Sequence, residues 1–290
     1  MTRIEEHPVP GGGPYAVTAG PDGALWYTLV HSGHIGRLVP GGKPENHRLD
    51  PDSGPTIITS GPDGALWFTE YRAHRIGRIT TDGHVTEFPL SECGPFGIAV
   101  GADGALWFTG TTTDRVGRIT TDGEVTEFPL PVAGAFPSAI TAGPDGGMWF
   151  TMNQANAIGR VGTDGEVRVH PLPTPAAAPV GITAGEDDAL WFVAIAAGLV
   201  GRITTDGTVT EFPLPDRAGR PHAITPGDDG TLWFTEWGGN RVGSITADGV
   251  IETHDLPTPG AEPHGITLGP DGALWTALEI GALARIAPKH

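Results

Sequence analysis

Gly94-Pro95-Phe96-Gly97-Ile98, Asp103-Gly104-Ala105-Leu106-Trp107-Phe108-Thr109, Val116-Gly117-Arg118-Ile119, Thr121-Asp122-Gly123 and Val125-Thr126-Glu127-Phe128-Pro129-Leu130 make up one unit of a repeating chain. Four short runs of β-branched and aromatic residues are separated by Gly-containing turns, and Asp-Gly is the strongest short hairpin signal. No stretch sustains a helical period. The unit therefore reads as four antiparallel strands. Its tryptophan recurs as Trp26, Trp67, Trp107, Trp149, Trp191, Trp233 and Trp275, at spacings of 41, 40, 42, 42, 42 and 42 residues.

A four-stranded sheet cannot bury both of its faces alone, but copies packed around an axis bury one another. A repeat of about forty residues with four strands and a recurrent Trp predicts a β-propeller. The count of strands also predicts how the ring closes. The seventh copy, from Ala261 onward, holds only three strands and stops near Ile286. The missing one stands at the other end, where Arg3-Ile4-Glu5-Glu6-His7-Pro8-Val9 aligns with Val209-Thr210-Glu211-Phe212-Pro213-Leu214. Pairing the N-terminal strand onto the last blade leaves no bare edge at the seam. The expectation is an all-β, seven-bladed β-propeller, one domain over residues 1–290, with the N-terminal strand completing the last blade.

Composition agrees with that reading and excludes several functions. Of 290 residues, 45 are Gly and 28 Pro, a proportion that suggests disorder until the eight Trp, ten Phe and 38% hydrophobic content are weighed against it. The net charge of −17 argues against nucleic acid or an anionic membrane as partner, since both need basic surface. The single cysteine, Cys93, excludes an intrachain disulfide and a Cys-rich zinc site, and reads as inert packing. No apolar run reaches membrane-spanning length and Met1–His7 lacks the apolar core of a secretion signal, so the expected location is the cytoplasm; the closed ring suggests a monomer.

What repeats in a propeller is scaffold, and chemistry is sought where the copies differ. The repeated Trp and Phe read as core, and the Arg of Gly-Arg-Ile (Arg37, Arg78, Arg118, Arg160, Arg202) as a partner for turn carbonyls or the acidic-Gly loop. The residue after the Pro that opens each first strand varies: Tyr15, Thr56, Phe96, Ser138, Val180, His222 and His264. The two histidines fall on blades six and seven, and Tyr15 follows on blade one around the ring. The residue before that Pro is Gly or Ala in four copies and Phe136 in a fifth, but Arg220 in the sixth and Glu262 in the seventh. A second variable column lies three residues past the Trp and includes Glu70 and Glu236; one position further stand Trp237 and Glu279, the latter the sole acid there. Glu262 and Glu279, from adjacent strands of one blade and beside an imidazole, suit a hard cation such as Mg²⁺ held by few protein ligands and several waters. Tyr15 and Trp237 are candidate walls of a substrate site. His31, His34, His74 and His254 lie off these columns and read as surface.

With Arg220-Pro221-His222-Ala223-Ile224-Thr225, Leu232-Trp233-Phe234-Thr235-Glu236-Trp237 and Ala261-Glu262-Pro263-His264-Gly265-Ile266, the whole chain resembles the virginiamycin B lyase, or streptogramin B lyase, family. The resemblance implies a seven-bladed propeller and a Mg²⁺-dependent carbon–oxygen lyase. Such an enzyme linearises a small cyclic depsipeptide antibiotic of the streptogramin B type by elimination at its ester, without adding water, and so confers resistance. Carried over by motif, His264 is the catalytic acid/base, Glu262 and Glu279 hold the metal, and His222 contacts substrate. The segment Trp275-Thr276-Ala277-Leu278-Glu279 departs from the pattern in lacking an aromatic after its Trp.

Two other classes stand beside this reading. A metal-dependent lactonase or esterase propeller uses rim carboxylates to activate water, and usually gathers more acids than Glu70, Glu236, Glu262 and Glu279. A non-catalytic interaction propeller predicts a large exposed apolar or charged patch and no metal. On electrostatics, His264 beside anionic Glu262 is expected to favour its protonated form unless a cation offsets that field.

Overall fold

A computed structural model describes residues 2–287. Seven four-stranded antiparallel sheets stand around one axis, and in six of them the four strands follow chain order. The seventh is assembled from both ends of the chain: Arg3–Pro8 pairs with Ala282–Ala287, which pairs with Leu274–Leu278 and then Pro263–Leu268. Arg3 lies opposite Ala287 and Pro8 opposite Ala282, so the closure forecast from the strand count is the one observed. The first strands of neighbouring blades pack on one another and define the axis.

The core lies between blades. All seven repeat tryptophans are at most 6% exposed, and Tyr27, Phe68, Phe108, Phe150, Phe192 and Phe234 beside them are buried as well. Burying one Trp removes roughly 150–250 Å² of surface, a gross gain of about 4–6 kcal/mol, several times the net worth of a hydrogen bond. Packing of these rings therefore dominates the scaffold. Outer strands add a stacked ring, as in Trp67 on Phe88 (5.4 Å) and Trp149 on His170 (5.4 Å).

The recurrent Arg bonds the acidic-Gly loop of its own blade. In blade two, Asp63 accepts from Trp67 Nε1 through one oxygen (3.0 Å) and from Arg78 Nε through the other (2.6 Å). Burial raises the Asp63 carboxyl, but the Trp67 and Arg78 bonds outweigh it and hold the group below its usual range. Cys93 is fully buried, which with the nearby Glu127 pushes its thiol up to about 11; it is inert packing, as expected.

The Thr that ends Leu-Trp-Phe-Thr has a part that the sequence reading did not assign to it. Thr69 Oγ1 accepts from Ile57 N in its own blade and donates to the Phe96 carbonyl in the next. The same reach joins Thr28 to Thr56, Thr109 to Ser138, Thr151 to Val180 and Thr235 to His264. These hydroxyls stitch blade to blade beside the axis. Blade five has Val193 there.

Candidate active site

Each first strand carries one extra residue just after its opening Pro: in blade seven the register runs Pro263 to Leu278 and then Ile266 to Thr276. The same shift occurs in all seven blades. A bulge of this kind re-aims side chains, and here it gathers Tyr15, His222 and His264 at one end of the axis. The residue before the Pro is left-handed in every blade, with φ of 68° at Gly13, 62° at Gly54, 56° at Gly94, 51° at Phe136, 55° at Ala178, 49° at Arg220 and 51° at Glu262. Glycine takes that conformation freely, whereas a residue with a Cβ is strained by roughly 1–2 kcal/mol. Blade seven therefore holds Glu262 in a backbone state suited to Gly, as often occurs where function overrides local preference. The loop leading to it is braced by Asn240 Oδ1, which accepts from Ala261 N at 2.7 Å.

Glu279 lies just past the strand Leu274–Leu278, and its N–H donates to the Glu262 carbonyl at 3.3 Å, which sets the two acids side by side. His264 Nε2 donates to Glu279 Oε2 at 2.5 Å. Ligand atoms of Glu262, His264 and Glu279 all lie within 4.8 Å of one another. His264 is only 7% exposed, and its Nδ1 is buried with no hydrogen-bond partner among the described residues.

The aromatic groups close the other side. The Tyr15 ring centroid is 4.7 Å from that of His264 and 5.7 Å from that of His222, and the two imidazoles are 4.9 Å apart. Tyr15 Oη donates to His222 Nε2 at 3.3 Å. Below them an apolar channel of about 270 Å³, lined by residues such as Val17, Ile58, Ile98 and Ile266, runs along the axis. Trp237 follows blade six on the same rim. Its ring lies 5.4 Å from the Arg220 guanidinium, its Nε1 is buried with no hydrogen-bond partner among the described residues, and its contacts lead to Arg220 rather than to the His264 cluster.

Electrostatics at the axis differ from the sequence-based expectation. Desolvation drives His264 below the ordinary histidine value, and outweighs the hydrogen bond and charge of Glu279 and the charge of Glu262, which pull upward. His264 is thus neutral at pH 7 rather than held protonated by its acids. Burial, then the charge of His264, lowers His222 to about 3. Burial with the Glu279 charge raises the Tyr15 phenol, which stays protonated. For Glu279 burial acts upward, but bonds from His31 and His264 outweigh it and the carboxyl lies below its usual range.

Three further placements correct the sequence reading. His31 is exposed, but it is no bystander: Nε2 donates to Glu279 Oε1 at 2.8 Å, so blade one reaches the acid of blade seven. His74 and His254 are structural, the first accepting from Gly94 N (3.0 Å) and the second stacked on Trp233 (5.7 Å). Glu70 and Glu236, counted among the axial acids, are 0% and 1% exposed, and Glu236 is tied to Arg241 Nη2 at 2.9 Å. They belong to the scaffold. No helix of the described residues is long and apolar enough to cross a membrane.

The description "Virginiamycin B lyase family" fits residues 2–286. A virginiamycin B lyase of Saccharopolyspora erythraea is 67% identical over 52 residues, a stretch that spans only 17% of either chain. A solved streptogramin B lyase is 43% identical, with 99% of this chain and 97% of that one covered at a TM-score of 0.95. A catalytically inactive histidine-to-alanine variant of the Staphylococcus aureus virginiamycin B lyase, solved with quinupristin, is 41% identical over 100% of both chains at a TM-score of 0.96. With the whole ring matched by both fold and sequence, the chain belongs to the virginiamycin B lyase family.

Proposed function

We propose that this protein is a streptogramin B lyase that opens the ring ester of a cyclic depsipeptide by elimination, with His264 as the base and Mg²⁺ held by Glu262 and Glu279. The observation that carries the reading is the convergence of those two carboxylates on one imidazole at the axial rim, within 4.8 Å. Support also comes from the relative whose histidine-to-alanine variant is inactive and was solved with quinupristin.

The donor set suits the cation. Two carboxylates beside a single imidazole, at a rim with room for water, would suit Mg²⁺ better than zinc. Glu262 and Glu279 would hold the ion there, and it would supply Lewis acidity to a substrate carbonyl.

The remaining work falls to side chains. His264 acts as the base at Nε2, the nitrogen that faces the acids; the neutral ring then carries its proton on Nδ1, and Nε2 gives up its bond to Glu279. The imidazole removes the proton α to the threonine-derived carbonyl; the C–H electrons form the α,β double bond and the β-carbon–oxygen bond breaks. The ester carboxylate leaves, and the peptide is linear with unchanged mass. A positioned general base contributes about 10²–10⁴-fold. Neutral His222 and protonated Tyr15 form the wall against which the macrocycle is held, with His222 presenting its ring to the substrate.

Incubation with a streptogramin B, with Mg²⁺ or with chelator, tests the proposal by mass. A product of the starting mass bearing a dehydro residue, formed only with metal, supports it. A gain of one water overturns it in favour of hydrolysis.

A further inference from the structure

Six blades share a three-part lock. Asp22, Asp63, Asp103, Asp145, Asp187 and Asp271 each accept from a Trp Nε1 at 2.9–3.1 Å. The same six carboxylates accept, through their other oxygen, from an Arg Nε at 2.6–2.8 Å. In blade one the guanidinium also lies over the indole, Arg37 standing 5.8 Å from the Trp26 ring centroid. Blade six keeps the Asp and the Trp but not the Arg: Ser244 stands opposite Trp233 in the register where the others have Arg.

The consequences are local and concrete. Ser244 is 8% exposed, too short to fill the space, and Trp233 is the most exposed of the seven repeat tryptophans at 6%. Asp229 makes no ion pair among the described residues; one oxygen only caps the turn at Thr231 N (3.0 Å). A cavity of about 830 Å³ opens there, walled by Trp233, Ile4 and Val250, with Asp229, Glu252 and Asp255 on its lining and no Lys or Arg. His254 stacks on the Trp233 indole at 5.7 Å, as His47 stacks on Trp26 at 5.5 Å in a blade that also seats its arginine. An acid, an indole and a cavity stand where this fold elsewhere holds a guanidinium.

We propose that this outer groove of blade six binds an alkylguanidinium group, held by Asp229 as the protein's own arginines are held by their Asp in the other blades, and stacked on Trp233 as Arg37 is on Trp26. The recognition is a charge-assisted hydrogen bond plus cation–π contact, and the surrounding acids exclude anions. An ammonium lacks the planar fork and fits the indole face less well.

Calorimetric titration of the full chain with agmatine, N-acetyl-arginine amide and N-acetyl-lysine amide tests it. Both guanidinium probes are expected to bind saturably and the lysine amide more weakly. If the capped arginine binds tighter than agmatine, the natural ligand is an arginine side chain; if agmatine is as tight, a free guanidinium suffices. Asp229→Asn is expected to weaken binding about tenfold or more, the worth of a hydrogen bond to a charged group. Ser244→Arg is expected to abolish it and to raise Tm, because the arginine completes the lock from within. Absence of saturable binding, equal binding of the lysine amide, or undiminished binding in Ser244→Arg overturns the proposal.

Discussion

His31 Nε2 donates to Glu279 Oε1 at 2.8 Å, while His264 Nε2 holds Oε2 of the same carboxylate at 2.5 Å. The bond crosses the ring seam, from blade one to blade seven, and fixes the orientation of an acid that belongs to the proposed metal pair. Partners that orient a ligand in this way typically matter 10–100-fold for metal affinity. His31→Ala is expected to weaken Mg²⁺ or Mn²⁺ binding by about tenfold, measured directly by titration, with turnover largely recovered at high metal. Because the His31 side chain is 57% exposed, the fold should be little affected. Unchanged metal affinity in the variant removes His31 from the site.

That bond marks where sequence reasoning ended. The ring, its count of blades and the N-terminal closure were legible because Trp, Asp-Gly and Gly-Arg repeat at fixed spacing, and one missing strand had one place to come from. His222, His264, Glu262 and Glu279 were legible as departures from their columns. His31 stands in no column, and its contact spans 248 positions, which no periodicity encodes. Glu70 and Glu236 failed for the opposite reason: their column was right, but a column does not tell whether its side chain meets water or the interior. The left-handed backbone before each Pro is written in Gly13, Gly54 and Gly94, but the Phe, Ala, Arg and Glu of the other blades mask that signal.

Glu262 is a strained acid, with φ of 51° where three blades have Gly. Replacing it with Gly removes the Cβ clash, offset in part by the greater freedom of Gly in the unfolded chain, so a net gain of about 0.5–1 kcal/mol is expected. Glu262→Gly is therefore expected to be more stable in urea yet to lose metal binding and turnover. Glu262→Gln should lose turnover without the stability gain. A Gly variant that is less stable than the parent refutes the strain.

Thr235 Oγ1 donates to the His264 carbonyl at 2.8 Å and accepts from Ala223 N at 3.0 Å, so it holds the blade-six and blade-seven bulges together. Thr235→Val leaves both buried groups unpaired, at about 1–3 kcal/mol. Blade five tolerates Val193 at this position, so the ring is expected to remain closed. Loss of His264 placement should lower kcat more than it raises KM. Equal effects on both, with full stability, leave Thr235 without a positioning role.

Glu70 supplies a pH test remote from the proposed metal pair. It is 0% exposed, and burial with the nearby Glu87 charge raises it to about 7, with Ser53 and Arg75 opposing. A carboxyl raised in the fold binds its proton more tightly there than in the unfolded chain. Its stabilising contribution is complete below the unfolded value of 4.5 and is lost as pH rises through about 7. Gln cannot ionise and keeps the same shape. Glu70→Gln is therefore expected to match the parent near pH 4.5 and to exceed it at pH 8 by about 1–3 kcal/mol in urea denaturation, since each tenfold change in proton affinity is worth about 1.4 kcal/mol. If the two proteins lose stability in parallel between those pH values, the Glu70 carboxyl is ionised and solvated in the fold, and its assignment to the dry scaffold is wrong.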